Sequence, residues 1–209
     1  MIEAVAAVVV GYLLGSMPWG YWLPRLVSGR DVRGAGSGNT GAANVWRNFG
    51  FKLGLAVALL DVGKGCLAAL LGLWLGGDTA GLLAGVAVTF GHWRPLFLGL
   101  ARGGKIVATT GGVALALAPL ASLAVLAIWI VIFLATRYSS LASLTAAVAL
   151  PIVAAALGTP WPTVVFTAGA AVAIVFLHRA NIARLLSGTE NRFRLRRGRR
   201  AVTRSGPAG

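Results

Sequence analysis

Polar and basic residues that can bind an anion are concentrated in three short segments of an otherwise apolar chain. The first segment, residues 34–47, contains four glycines, and its candidate anion ligands are Ser37, Gly38, Asn39, Asn44 and Arg47. Glycines allow backbone N–H groups to converge on an anion, while hydroxyl, amide and guanidinium groups add hydrogen-bond donors. This composition predicts a cradle for a phosphate group. The alternative is a flexible turn that only connects two helices.

The same segment matches the spacing G-x-G-x-x-G through Gly36, Gly38 and Gly41. A dinucleotide-binding loop with this spacing follows a strand and opens a helix within a βαβ unit. No strand pattern precedes residue 34, so a dinucleotide-binding fold is not expected. Only the phosphate-binding chemistry of such a loop is retained.

Two further segments combine basic residues with hydrogen-bonding groups. The second is the turn Arg102-Gly103-Gly104-Lys105, which lacks the spacing of a nucleotide-hydrolysing P-loop. The third covers 178–190 and ends at Glu190; His178 and Asn181 lie three residues apart in it, on one face of a helix. If the three segments meet at one membrane surface, they form a site for phosphorylated substrates.

The rest of the chain must supply helices that position these segments. Of the 209 residues, 57% are hydrophobic and only 11% are charged, whereas soluble domains average about 25% charged residues. The formal net charge is +14. A chain this apolar is neither disordered nor a water-soluble nucleic-acid-binding module. We therefore expect it to contact membrane lipids and not to bind nucleic acid. The composition indicates an all-α integral membrane protein with basic loops.

Seven apolar stretches predict seven transmembrane helices. They cover residues 2–24, 53–75, 80–99, 106–118, 120–136, 141–157 and 162–178. A helix of 23 residues is about 34 Å long, which is enough to cross roughly 30 Å of hydrocarbon. The fourth and fifth stretches can also be read as one span, but Pro119 separates them.

The distribution of lysine and arginine favours seven spans. One side of the membrane then carries Arg137, the basic residues of the tail, and those of the loops at 25–52 and 102–105. The opposite side receives Glu3 and Asp78 without any lysine or arginine, whereas six spans would separate Arg137 from the tail. The positive-inside rule therefore predicts the N-terminus outside, the C-terminus inside and the glycine-rich loops in the cytoplasm.

We interpret residues 1–190 as a single transmembrane domain and residues 191–209 as a basic cytoplasmic tail. The seven arginines of the tail favour anchoring beside anionic lipid, with contact to nucleic acid as the alternative. Inside the spans, Asp61 and Lys64 form an i,i+3 pair that either packs helices or contributes to function. His92 is expected to be a hydrogen-bonded partner between helices.

Six motifs, taken in order, resemble the acyl-phosphate-dependent glycerol-3-phosphate acyltransferases of bacteria, the PlsY family. They are Gly15-Ser16-Met17-Pro18-Trp19-Gly20, the loop 36–47, Asp61-x-x-Lys64-Gly65, Gly91-His92-x-x-Pro95, Gly103-Gly104-Lys105 and the segment 178–190. The resemblance covers residues 10 to 190. It implies a seven-helix protein of the bacterial plasma membrane that uses no metal or cofactor. On the cytoplasmic side, an acyl chain would pass from acyl phosphate to the sn-1 hydroxyl of glycerol 3-phosphate, giving 1-acylglycerol 3-phosphate and phosphate.

The resemblance also implies roles for individual residues. The residues that resemble the substrate-binding and phosphate-binding positions of the family are Ser37, Gly38, Asn39, Asn44, Arg47, Gly103, Gly104, Lys105 and Ser143. Among these, the first loop resembles a cradle for acyl phosphate, Lys105 a ligand of glycerol 3-phosphate, and Ser143 a serine near the glycerol backbone. His178 and Asn181 would line the reacting centre, and Glu190 would support it.

The chain departs from the family pattern at two positions. Ala43 replaces a threonine, which removes a hydroxyl that could donate a hydrogen bond to phosphate. Ile106 replaces a glycine, which is expected to crowd the second loop. Both changes leave a diverged paralogue open as an alternative. A membrane transporter of a phosphorylated small molecule is an alternative from another functional class, although no inverted hydropathy repeat supports it.

Overall fold

The computed structural model describes residues 1–193, and the regular structure within that range is entirely helical. The α-helices are α1 (Ile2–Gly15), α2 (Trp19–Ser28), α3 (Ala42–Phe49), α4 (Phe51–Trp93), α5 (Val107–Leu117), α6 (Pro119–Thr136), α7 (Ser139–Ala156), α8 (Trp161–Leu177) and α9 (Arg179–Leu186). Short 3₁₀ turns lie at Val32–Gly34 and Leu96–Leu98. Most of the tail, residues 194–209, lies outside the described residues.

The prediction of one continuous helix over 2–24 is wrong. α1 ends at Gly15 and α2 begins at Trp19, immediately after Pro18, which has no N–H to continue the helical hydrogen bonds. The break exposes carbonyl groups, and a side chain from a distant helix satisfies two of them. The ammonium of Lys64 donates hydrogen bonds to the carbonyl oxygens of Gly15 at 3.0 Å and Met17 at 2.9 Å.

The intramembrane charges of α4 serve this packing. The ammonium of Lys64 also lies 2.9 Å from a carboxylate oxygen of Asp61, and both side chains are 3% exposed. Nδ1 of His92 lies 3.5 Å from the same oxygen. The packing interpretation of the Asp61–Lys64 pair is thus the one that the contacts support, and His92 lies between helices as expected.

The second and third expected spans form α4, which has two arms separated by non-helical backbone at Gly76 and Gly77. Gly77 has φ of 69°, a conformation that glycine adopts without strain. α1 packs closely on the second arm, because a Cβ atom added to Gly11 would lie 2.7 Å from the carbonyl oxygen of Ala84. The third expected span ends earlier than residue 99, at Trp93.

The last four spans agree with the helices α5 to α8 within a few residues. The sequence did not predict α3, a short amphipathic helix in the first glycine-rich segment. In the described part of the chain, four helical segments are long and apolar enough to cross a membrane, or five if α8 and α9, bent by 60°, form one span. α5 is a shorter apolar helix. The helical membrane architecture is confirmed, while the count of seven spans stays a prediction.

Small residues dominate the interior of the bundle, whereas large apolar side chains point outward. Ala114, Ala118 and Ala121 are at most 5% exposed, while the side chain of Trp74 is 80% exposed. Small residues let transmembrane helices approach closely, and exposed apolar side chains suit a lipid environment. Many of the buried polar residues lie near one end of the bundle, where α3, α9 and the glycine-rich loops meet.

Candidate active site

Asn44 organises the first glycine-rich loop from inside. Its side chain is buried, and its amide nitrogen donates to the carbonyl oxygens of Ala35 and Asn39, both at 2.9 Å. Its amide oxygen accepts the backbone N–H of Ser37 at 3.1 Å. The loop itself therefore occupies the polar groups of Asn44, and Ser37 and Gly38 are left exposed at the outer rim. Sequence reasoning missed this internal role, because it depends on backbone groups that only the folded loop brings together.

Asn39 links the first loop to the second. Its amide nitrogen donates to the carbonyl oxygen of Gly103 at 3.4 Å. The backbone N–H of Gly104 in turn donates to the carbonyl oxygen of His92 at 3.1 Å, at the end of α4. A Cβ atom on Gly104 would collide with the imidazole ring of His92, so the loop approaches α4 this closely only with glycine. The backbone just before Lys105 is thereby held against α4.

A chain of hydrogen bonds joins the second segment to the third. The ammonium of Lys105 donates to the amide oxygen of Asn181, and the amide nitrogen of Asn181 donates to Oε1 of Glu190 at 2.7 Å. Ser140 donates to the same oxygen at 2.8 Å, and Nε of Arg184 donates to Oε2 at 2.7 Å. The carboxylate thus fixes which way the Asn181 amide faces.

The structure brings Lys105, Asn181 and Glu190 together as the sequence suggested, but it adds Ser140. That serine was not singled out from the sequence, although it follows Arg137 closely and lies in the first turn of α7. Ser143 lies one turn further along α7, where its buried hydroxyl accepts a hydrogen bond from the indole nitrogen of Trp129 at 3.1 Å.

The site carries an excess of positive charge. Burial lowers the pKa of Lys105 to about 8; Glu190 opposes this shift, and the cations of Arg184, Arg102 and Arg47 add to it. Burial opposes the ionisation of Glu190, but its hydrogen bonds from other side chains and the Arg184 charge outweigh burial and lower its pKa. Four cations therefore share one carboxylate, and a bound anion would balance the remainder.

His178 lies at the bend between α8 and α9 and is 4% exposed. Its Nδ1 lies 2.8 Å from the carbonyl oxygen of Ile174. Because a carbonyl oxygen only accepts, we assign the proton of the neutral ring to Nδ1, which leaves the lone pair on Nε2. The neutral ring therefore has one unprotonated nitrogen, Nε2, that can accept a hydrogen bond.

An apolar groove of about 400 Å³ lies between the second arm of α4 and α8. Its walls include Phe90, Trp93 and Phe166. Ile106 and Leu177 also line it, and each is the sequence neighbour of a polar site residue, Lys105 and His178 respectively. The groove thus begins next to the polar site.

Ile106 adopts a backbone conformation that favours glycine. Its φ is 57°, which is strained for a β-branched residue. The side chain is 6% exposed and packs against Ala171, Ile174 and Leu177. The isoleucine is thus buried at the start of α5, which offsets part of the backbone strain, while crowding of the second loop stays a prediction.

Comparisons with known proteins identify the family of the chain. A family model described as glycerol-3-phosphate acyltransferase matches residues 5–188. The chain is 45% identical over 199 residues to the glycerol-3-phosphate acyltransferase of Desulforudis audaxviator, covering 94% of this chain and 100% of that relative. It is 49% identical over 197 residues to the glycerol-3-phosphate acyltransferase of Roseiflexus sp., covering 92% of this chain and 96% of the relative.

Two crystal structures of PlsY, an integral membrane glycerol 3-phosphate acyltransferase, also match. The glycerol 3-phosphate form has a TM-score of 0.87 at 39% identity, with 91% of this chain and 96% of that chain covered. The lysophosphatidic acid form has a TM-score of 0.82 at 38% identity, with 91% and 95% covered. These matches place the helical membrane bundle in the class of integral membrane acyltransferases. The chain belongs to the glycerol-3-phosphate acyltransferase family, the PlsY family, whose reaction is part of phospholipid biosynthesis.

Proposed function

We propose that the protein transfers an acyl chain from acyl phosphate to the sn-1 hydroxyl of glycerol 3-phosphate. The products are 1-acylglycerol 3-phosphate and inorganic phosphate. The observation that carries this proposal is the excess positive charge around Lys105, Arg47 and Glu190, together with an apolar groove lined by Ile106, the residue next to Lys105. Two phosphorylated substrates, one of them with an acyl chain, match both parts of this arrangement.

The positions of the side chains support the following binding roles. Lys105 binds the phosphate of glycerol 3-phosphate, because its ammonium is held at the centre of the cationic cluster. Ser37, Gly38 and Asn39 form the cradle for acyl phosphate, and Asn44 maintains the shape of that loop. Arg47 supplies a second cation for phosphate.

Four further residues support binding. Gly103 and Gly104 let the substrate approach the backbone next to Lys105. Ser143 lies near the glycerol backbone, with its hydroxyl oriented by Trp129. The acyl chain follows the groove that starts at Ile106, since an apolar chain gains free energy when it leaves water.

The reaction forms one ester bond and breaks one anhydride bond. The sn-1 oxygen attacks the carbonyl carbon of acyl phosphate, and the bond between that carbon and the phosphate oxygen breaks. The hydroxyl proton passes either to Nε2 of His178 or to the departing phosphate. Asn181, held by Glu190, lines the reacting centre. The donor is already activated, so holding both substrates together contributes up to roughly 7–11 kcal/mol without an enzyme nucleophile, and the cations stabilise the charge on the departing phosphate.

We further propose seven spans in the bacterial plasma membrane, with the N-terminus outside and the active site on the cytoplasmic side. The broken helix α1–α2, the two arms of α4, and α5 to α8 provide the seven crossings. The lysines and arginines of the site-bearing loops support this orientation through the positive-inside rule.

The donor test uses the purified full-length protein in detergent with glycerol 3-phosphate and either palmitoyl phosphate or palmitoyl-CoA. We expect 1-acylglycerol 3-phosphate from palmitoyl phosphate alone. The variant Lys105→Ala should raise the KM for glycerol 3-phosphate, whereas Lys52→Ala, which removes an exposed lysine, should not. Product from palmitoyl-CoA alone, or no product from folded protein with palmitoyl phosphate, would overturn the proposed donor.

A further inference from the structure

Residues 190–193 return to the site after α9, and we call them the C-terminal clasp. Glu190, at one end of the clasp, holds Asn181. Phe193, at the other end, is 5% exposed, and its backbone N–H donates to the carbonyl oxygen of Arg137 at 2.9 Å. Nε of Arg192 donates to the carbonyl oxygen of Thr136 at 3.1 Å. The family match ends at residue 188, so the clasp lies beyond it.

The ring of Phe193 lies in an aromatic cluster between α3 and α6. Its centroid lies 4.7 Å from that of Trp46 and 5.3 Å from that of Phe133. The guanidinium carbon of Arg47 lies 5.0 Å from the same ring centroid. Arg47 therefore rests on an aromatic ring that the cluster and the Arg137 carbonyl hold in place.

Among residues 1–193, Phe193 is the only aromatic residue that makes a cation–π contact with Arg47. The side chain of Arg47 makes neither a hydrogen bond nor a salt bridge to any residue of that range. A cation–π contact to an aromatic ring uses none of the lone-pair acceptors that a guanidinium's N–H donors need. Those donors remain available for a phosphate, which accepts two of them at once.

We propose that Phe193 is a positioning residue, which holds the guanidinium of Arg47 through a cation–π contact and leaves its N–H groups free to bind a substrate phosphate. This inference rests on the proposed role of Arg47 in phosphate binding. It assigns a function to the C-terminal clasp beyond the acyl-transfer residues themselves. The aromatic ring orients the cation without competing for its hydrogen bonds.

The test compares Phe193→Leu, Phe193→Ala and Phe193→Trp in the full-length protein. KM and kcat are measured separately for palmitoyl phosphate and glycerol 3-phosphate, after size-exclusion chromatography confirms folded protein. Leucine fills the space but has no π face. The substrate whose KM rises in Arg47→Ala should therefore also show a raised KM in Phe193→Leu, about tenfold above the parent value. The kcat of Phe193→Leu should stay within about threefold of the parent value. Phe193→Trp, which keeps an aromatic face, should have the parental KM.

Two controls separate this inference from simple packing and from the proposed function. Phe51→Ala removes a ring whose centroid lies 5.0 Å from that of the same Trp46 but which makes no cation–π contact with Arg47, so the KM of this variant should match that of the parent. The double variant Arg47→Ala/Phe193→Leu should have the same KM as Arg47→Ala alone. A parental KM in Phe193→Leu, while Arg47→Ala raises it, would overturn the positioning role alone. An unchanged KM in Arg47→Ala would overturn the proposed phosphate role of Arg47.

Discussion

The lowered pKa of Lys105 predicts a pH dependence of substrate binding that the substitution Lys105→Arg should abolish. Burial, together with the arginines around the site, lowers this pKa to about 8 in the unliganded protein. A phosphate dianion favours the charged ammonium, so only the protonated protein binds glycerol 3-phosphate well. Raising the pH from 7 to 9 therefore removes the binding form of the free protein.

The size of this effect follows from the pKa. In the free protein, about nine-tenths of the Lys105 side chains are protonated at pH 7 and about one-tenth at pH 9. The KM for glycerol 3-phosphate should therefore rise about tenfold. At saturating substrate the bound phosphate keeps the ammonium charged, so kcat should change much less. The assay measures initial rates of acylglycerol phosphate formation from palmitoyl phosphate between pH 6.5 and 9.5.

The substitution Lys105→Arg tests the assignment. A guanidinium stays charged over this range, so the KM of Lys105→Arg should be independent of pH, although its value at pH 7 is higher because the geometry differs. Lys52→Arg, at an exposed position, should keep the parental pH profile. The reasoning fails if the KM of the parent protein is flat up to pH 9.5, or if Lys105→Arg retains the rise.

The same shift affects stability. The folded protein holds this proton less tightly than the unfolded chain, whose ordinary lysine pKa is 10.5. Between about pH 8 and 10.5 the unfolded chain binds more protons, so the unliganded protein should become more stable as the pH rises through this window. Thermal unfolding in detergent measures this change, which Lys105→Arg should lack.

Three further substitutions test the structure of the site. Glu190→Gln removes a carboxylate that accepts three side-chain hydrogen bonds, so kcat/KM should fall about a hundredfold and the Tm should drop; parental values would contradict its orienting role. Ile106→Gly relieves about 1–2 kcal/mol of backbone strain but removes about 2–5 kcal/mol of buried side chain, so thermal unfolding should show net destabilisation, and a raised Tm would refute this balance. Gly104→Ala forces a Cβ atom into His92 and should lower the acyltransferase activity more than tenfold, whereas Gly111→Ala, with open space around it, should not; equal activities would refute the close approach.

The clustering of polar residues in an apolar chain was enough to predict a helical membrane protein with one cationic site. Lys105 lies far in sequence from Asn181 and Glu190, yet these residues belong to the second and third polar segments, which the structure brings together. Membrane helices constrain their loops to two surfaces, so the position of charge along the sequence carries information about position in space.

Features that depend on backbone groups meeting distant side chains were not predictable in this way. Pro18 is a local signal of the break after Gly15, but its stabilisation by Lys64, which lies on another helix, has no local pattern in residues 2–24. Asn44 looked like a phosphate ligand by its type, but the folded loop uses its amide internally. Ser140 and Phe193 acquire their contacts only when α7 and the C-terminal clasp pack at the site.

The central claim, acyl transfer from acyl phosphate to glycerol 3-phosphate, is tested most directly by the stoichiometry of the reaction. Inorganic phosphate and 1-acylglycerol 3-phosphate are quantified together while the purified protein consumes palmitoyl phosphate. The account predicts equal amounts of the two products, and no phosphate release when glycerol 3-phosphate is omitted. Release of phosphate without acylglycerol phosphate, or acylglycerol phosphate without phosphate release, would contradict it.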